Sequence, residues 1–393
     1  MNQNFQHSTL QPVPMLDFSR EFAAIREEVL AAIEKVCASQ RFILGPEVER
    51  FEQEAAAVCD VPFAVGCSSG TDALWLAMTA LGVGPGHSVI TTPFSFFATA
   101  SAILRAGATP IFADIEELTF NLDPAKVSEA LHRAHLTAAG TKAAALLPVH
   151  LYGQCADMDE LNAVARDHGL KVIEDAAQAF GAKWNGTYAG ALSDAAAFSF
   201  YPTKNLSAYG DAGMLTTRDA DTDERLRMLR AHGMRRRYFH DEVGWNCRLD
   251  SIQAAVLEVK LKRVAAGNER RRELAALYED SFVMAGLAGG TTRTGVVLPM
   301  THPRAEHVFH QYVIRAPRRD ELRDFLTQHK IGTEIYYPLP LHLQESLQML
   351  GYRRGDFPVS ERAADEVLAL PIYPELRDDE VATVVEAVRR FYA

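Results

Sequence analysis

Between residues 60 and 220 the chain repeats one pattern, a short apolar run followed by a stretch with helical spacing. The runs are "HSVITTPF" (87–94), "ATPIFADI" (108–115), "AAALLPVHLY" (143–152), "KVIEDAA" (171–177) and "AAAFSFYP" (195–202), and the intervening stretches include Ser95 to Arg105 and Met158 to His168. Parallel neighbours in a sheet need a long crossover, so this alternation predicts a mainly parallel sheet with helices on both faces. The segment "FAVGCSSGTDALWLAMTALGV" (63–83) adds a strand, a turn of small residues and a helix from near Thr71. One large α/β unit should therefore span this region.

The flanks read differently. Residues 18–38 place Phe22, Ile25, Val29, Ile33 and Val36 near one helical face, and a second helix starts after Gly45-Pro46, proline being tolerated in a first turn. Residues 250–282 form a long helical pattern. Beyond it "TTRTGVVLPM" (291–300) and "HVFHQYVIRA" (307–316) read as strands, and "RRDELRDFLTQHK" (318–330) and "RDDEVATVVEAVRRFY" (377–392) as helices. A chain of 393 residues exceeds what one core usually serves. The expected division is a large domain over 14–250 and a linking helix with a small α+β domain over 251–393.

Forty Lys plus Arg against 51 Asp plus Glu leave a formal charge of −11, which disfavours nucleic acid as a partner and leaves small-molecule chemistry open. Cys37, Cys59, Cys67, Cys155 and Cys247 are odd in number, without a close CxxC pair or metal-finger spacing. That fits a reducing compartment and no metal. No window approaches 18 apolar residues without charge or glycine, and the first residues lack a signal-peptide core. The expected location is the cytoplasm, away from any membrane.

In "AAAFSFYPTKNLSAYGDAGM" Pro202 ends a strand, and Lys204 then lies at the strand's exit, where open α/β sheets place their ligands. Four features ahead of it fit one chemistry. "SSGT" (68–71), between a strand and a helix, offers free N–H groups to a phosphate, as any small-residue turn there would. Asp175, after "KVIE", can bond a protonated ring nitrogen or simply cap a helix. Phe94, Phe96 and Phe97 could stack on a flat cofactor or fill a core. Ser199 offers a hydroxyl to the same phosphate. An amine, a phosphate nest, an acid and an aromatic together are the minimum kit for pyridoxal phosphate.

"CSSGTDAL" (67–74), "TTPFSFFATASAILRAGATPIFADI" (91–115), "IEDAAQAFGA" (173–182), "SFYPTKNLSAYGDAGM" (199–214) and "VGWNCRLDSIQAAVL" (243–257) resemble the DegT/DnrJ/EryC1/StrS sugar aminotransferases, in one register from about Pro14 onward. The resemblance implies the pyridoxal-phosphate-dependent transferase fold of the aspartate aminotransferase type (fold type I): a large domain with a mainly parallel, seven-stranded mixed sheet, plus a small α+β domain. It implies a homodimer with shared sites that transfers an amino group, commonly from L-glutamate with release of 2-oxoglutarate, onto a keto sugar carried by a nucleotide diphosphate. By the same resemblance Lys204 is the lysine that carries the cofactor, Asp175 partners its ring nitrogen and Gln178 lies beside its ring hydroxyl. Ser69, Gly70, Thr71 and Ser199 match phosphate contacts, Phe96 the stacking aromatic, and Asn246 a phosphate contact from the other subunit.

Ala212 departs from the second glycine of the usual GDGG turn, and Cys247 from a common serine or tyrosine; neither removes a group that transamination needs. His150, Arg237, Tyr337 and His342 are further candidates for the substrate side, each with a bland alternative as a packed or solvated residue. A 3-keto dTDP or UDP sugar is favoured, with a 4-keto sugar as the alternative. Related dehydratases put a histidine in the lysine's place, so Lys204 argues against that chemistry. A binding or sensor protein that keeps the fold without turnover is the non-enzymatic alternative.

Overall fold

The computed structural model describes residues 10–136, 141–288 and 295–393. The helices are α1 (Phe18–Ser39), α2 (Pro46–Val58), α3 (Gly70–Ala80), α4 (Ala98–Arg105), α5 (Pro124–Leu136), α6 (Met158–His168), α7 (Ala220–Leu229), α8 (Ser251–Met284), α9 (Arg319–Gln328), α10 (Pro358–Glu366) and α11 (Asp378–Tyr392). The strands are β1 (Phe63–Cys67), β2 (His87–Thr91), β3 (Thr109–Phe112), β4 (Lys142–Leu147), β5 (Lys171–Asp175), β6 (Lys183–Trp184), β7 (Thr187–Tyr188), β8 (Ala195–Ser199), β9 (Gly213–Thr217), β10 (Met234–Arg236), β11 (Phe239–His240), β12 (Ala305–Glu306), β13 (Tyr312–Arg315) and β14 (Val367–Leu370).

The central sheet has seven strands in the order β1-β9-β8-β5-β4-β2-β3. β3, β2, β4, β5 and β8 pair in parallel, while β9 runs antiparallel to both β8 and β1. It follows that β1 is parallel to β8. The C-terminal ends of β1, β8, β5 and β2 therefore share one edge of the sheet, and the start of β9 joins them. β9 itself was not expected from the sequence. All five of its residues are buried, so it carries no alternation to read.

Both faces of the sheet are covered, which is why its strands read as unbroken apolar runs. In β8, Ala195 and Ala197 join one core cluster with α3, whereas Ala196 and Phe198 join the other with Phe180 and Phe200. Small residues there let α3 lie close to the strand. α6 keeps its expected limits because Asp157 caps its start, accepting from Glu160 N–H at 3.2 Å, and Gly169 ends it in the left-handed region. α4 starts three residues later than expected, leaving Ser95 to Phe97 as a bend at the sheet edge.

α1 buries Ile25, Val29 and Val36, with Ile25 and Val29 against Val256 and Val259 of α8, while Phe22 stays partly exposed. The C-terminal core gathers Tyr278 and Phe282 from α8, Tyr312 and Ile314, Leu322 and Leu326, Leu368 and Leu370, and Val381, Val384 and Val388. Of the two strands expected from about 290, residues 289–294 lie outside the described chain, and the remainder of the first makes one bridge, Val297 to Arg315. The second shortens to β13, because Val308 and Gln311 bond instead to Gly153 and Tyr152. Asp114, after β3, ties the two regions together by capping α10: it accepts from Val359 N–H and Ser360 N–H at 3.0 Å and from the Ser360 hydroxyl at 2.6 Å. Among the described residues no helix is long and apolar enough to cross a membrane, and no group of His, Cys, Asp or Glu could hold a metal ion.

Candidate active site

Four strand ends build the site. After β1, Ser69 caps α3 by accepting from Asp72 N–H at 3.1 Å, so the first turn, Gly70 and Thr71, presents helix N–H groups at the sheet edge. This turn sits hard on β8 and β9. A Cβ on Gly70 would meet Ser199 Cβ at 2.6 Å, and one on Gly213 would fall well inside contact with the Ser69 backbone. Only glycine allows the cradle to close there.

Asp175 is the last residue of β5 and is buried. Its Oδ2 accepts from the Thr99 hydroxyl at 2.7 Å, which in turn takes a hydrogen from Ser95 at 2.9 Å, and its Oδ1 accepts from Ala177 N–H at 3.3 Å. Burial pushes its carboxyl pKa up; the Thr99 and Ala177 hydrogen bonds and the charge of Lys204 oppose the rise. Sequence reasoning missed Thr99. Its signal was a hydroxyl on the first turn of a helix that follows a strand end.

Lys204 lies in the connection from β8 to β9, in a turn closed by its N–H on Tyr201 C=O at 2.8 Å. Burial pushes its pKa down to about 8, against the upward pull of Asp175. The amine and the carboxylate thus sense each other. Gln178 is fixed by accepting from Tyr152 N–H at 2.6 Å and donating to Tyr337 Oη at 3.2 Å. The Tyr337 ring lies 6.2 Å from that of Phe96, which is 60% exposed, whereas Phe94 is wholly core and Phe97 is partly exposed. Tyr337, from the C-terminal region, therefore stands with Gln178 and Phe96.

The other candidates differ in burial and in the bonds they make. His150 is fully buried beside Asp175: its Nδ1 accepts from Ala156 N–H at 3.1 Å, which leaves Nε2 to donate to Glu174 at 2.9 Å. Glu174 also takes Gly190 N–H, Leu192 N–H and the Ser193 hydroxyl. Both ring nitrogens are spent, so His150 braces the end of β5. His342 is likewise buried, bonded through Nε2 to Glu361 at 3.0 Å and set against Phe357, beneath the surface it was expected to line. Arg237 is exposed in the β10–β11 hairpin, over the Tyr238 ring. Asn246 is exposed too, although Cys247 C=O next to it accepts from Ser68 N–H at 3.2 Å and so brings the segment alongside the cradle.

A family model described as the DegT/DnrJ/EryC1/StrS aminotransferase family matches residues 23–389. The chain belongs to this aminotransferase family. It is 48% identical over 380 residues to a protein of Geobacillus stearothermophilus named pleiotropic regulatory protein, covering 97% of this chain and 98% of that one. It is 44% identical over 379 residues to dTDP-3-amino-3,4,6-trideoxy-alpha-D-glucose transaminase of Streptomyces venezuelae, covering 96% of each. The crystal structure of S. venezuelae DesV with a ketimine intermediate superposes with a TM-score of 0.90 at 44% identity, over 97% of this chain and 98% of that one. The chain is thus a fold type I aminotransferase with pyridoxal phosphate as cofactor.

The residues fit that cofactor. Pyridoxal phosphate calls for a nest for a dianion, an acid for a pyridinium and a reactive amine, and the α3 turn, Asp175 and Lys204 are groups of these kinds at one edge that could hold it. Ala212 does not disturb the nest: it is buried in the core, and its C=O accepts from Phe200 N–H at 2.8 Å. Gly213 is the position that cannot change. Gly213→Ala should weaken cofactor binding by more than about tenfold and cost roughly 1–3 kcal/mol of stability, because backbone rather than a flexible side chain opposes the new methyl. Absorbance titration with the cofactor and thermal melting would check both.

Proposed function

We propose that this chain transfers an amino group from L-glutamate to C3 of a keto sugar carried by dTDP or UDP, releasing 2-oxoglutarate and the amino sugar. The observation that carries the reading is the half-buried Lys204, its amine pKa pushed down to about 8 by burial, within electrostatic reach of the buried Asp175 carboxylate. When bound, pyridoxal phosphate supplies the electron sink that makes the amino acid's Cα–H acidic. Lys204 holds the cofactor and, once free, moves a proton to and from the carbon that bears the transferred nitrogen. Asp175 keeps the ring nitrogen protonated. Ser69, Gly70, Thr71 and Ser199 would hold the phosphate, Phe96 would stack on the ring, and Gln178, clamped between Tyr152 and Tyr337, would serve the ring hydroxyl.

The 3-amino product named for the Streptomyces relative supports C3 over C4. Incubation with glutamate and a panel of 3-keto and 4-keto sugars on either nucleotide, read by product mass, tests the choice; amination of a 4-keto sugar alone would reject it. The Geobacillus relative carries a regulatory name, so a sensor role is weighed beside transamination. An enzyme converts to the amine form of its cofactor when given an amino donor, and a sensor does not.

The reading includes work as a cytoplasmic homodimer. All five cysteines are free thiols, as a reducing compartment would keep them. Tyr201, Tyr209, Tyr238, Phe239, Val243 and Trp245 are exposed, a set of large apolar side chains that a second copy would cover. Arg237 would then face the nucleotide diphosphate and Asn246 the phosphate of the partner's site. Mixing Lys204→Ala and Asn246→Asp subunits, each inactive alone, should restore about half of the sites in mixed dimers, since one site then takes intact residues from both chains. No recovery despite subunit exchange would reject shared sites.

A further inference from the structure

Asn205, next to the reactive lysine, is held from three directions. Its Nδ2 donates to Asn268 Oδ1 on α8 at 2.8 Å and to Val308 C=O at 3.0 Å. Its Oδ1 meets His310 Nδ1 at 3.2 Å. Turning the amide over would set its oxygen against two acceptors, because Asn268 is itself fixed by donating Nδ2 to Phe180 C=O at 3.0 Å. His310 Nδ1 must therefore carry the hydrogen, and Nε2 is a bare lone pair.

His310 is buried and cannot drift. Val308 N–H bonds Gly153 C=O at 3.0 Å and Gln311 N–H bonds Tyr152 C=O at 3.3 Å, and the Tyr152 N–H holds Gln178. The charged and titratable groups that act on His310 are Lys204, Arg271 from α8 and His307. Burial first, and then these groups, hold its pKa well below the usual histidine range, so it stays neutral beside the lysine.

We propose that His310 is a positioning residue for Lys204: its Nδ1–H, locked on Asn205, fixes the β8–β9 connection and keeps the amine in its half-buried place. The proposal rests on Lys204 being the reactive amine. It adds a residue from the C-terminal region whose bond, rather than whose bulk, sets the lysine's environment.

The test uses the full-length chain freed of cofactor. Reductive methylation of Lys204 is followed against pH by peptide mass, with melting curves to confirm folding. In the wild type labelling should inflect at about 8. His310→Phe keeps a ring and loses the donor, so the inflection should rise by about one unit, a roughly tenfold loss of reactive amine below it. His310→Asn keeps a donor near the Nδ1 position and loses the ring, and should match the wild type. Asn205→Ala should equal His310→Phe, with the double variant no worse than either; if one of these fails to fold, the other carries the comparison. An unmoved inflection in His310→Phe and Asn205→Ala, or an equal shift in His310→Asn, overturns the proposal. A wild-type inflection near 10.5 rejects its premise, and borohydride linkage of the cofactor to another lysine rejects instead the functional reading.

Discussion

Lys204→Ala is expected to yield a folded chain that still takes up pyridoxal phosphate but cannot be linked to it by borohydride, with transamination reduced by on the order of 1,000-fold or more. The α3 turn, Ser199, Asp175 and Phe96 stay in place, whereas the amine that holds the cofactor and shuttles the proton is gone. Labelling of the wild type at a different lysine would overturn the assignment. The neutral amine is the nucleophile, so capture of cofactor by the cofactor-free chain should rise with pH and level off above about 8, well short of the 10.5 of an ordinary lysine. Stability has the matching sign. The folded pKa lies below the unfolded one, so the unfolded chain binds the extra proton between these values, and the cofactor-free protein gains stability as pH climbs from about 8 to 10.5. Lys204→Met should abolish that gain in melting curves.

Asp175→Asn should leave Lys204 able to take the cofactor while slowing both half-reactions by on the order of 100-fold or more. A neutral amide no longer holds the ring nitrogen's proton, so the electron sink weakens, and the loss should fall on the proton-transfer steps in stopped-flow traces. Thr99→Val should give a milder version. It removes the 2.7 Å donor that counters the effect of burial on this carboxyl, so the carboxyl pKa should rise further and the activity profile move with it. Wild-type rates in a single-turnover half-reaction of Asp175→Asn would remove Asp175 from its role.

Much of the architecture was legible because its signal is local. Apolar runs of strand length gave β2, β3, β5 and β8, and the helical stretch between two of the runs gave α6 with the limits it has. The placement of Lys204 after β8 and Asp175 at the end of β5 followed from the same runs, since a ligand site at the strand ends is a property of the sheet. His150 and His342 show the limit. Each follows an apolar run, and nothing local tells a histidine that faces a ligand from one whose nitrogens are taken by Glu174 and Ala156, or one buried with its Nε2 on Glu361.

The sequence by itself determined the alternation of strand and helix and the family. Only the tertiary structure decided that β9 turns back between β8 and β1, that Gly213 lies against Ser69, and that His310 meets Asn205. The reason is physical. Periodicity records which face of a segment is buried, a property of neighbours three or four residues apart, whereas these three contacts join residues about 100 or more positions apart or pair a strand with no exposed face. Their energies come from chain closure and fit, which leave no pattern along the chain.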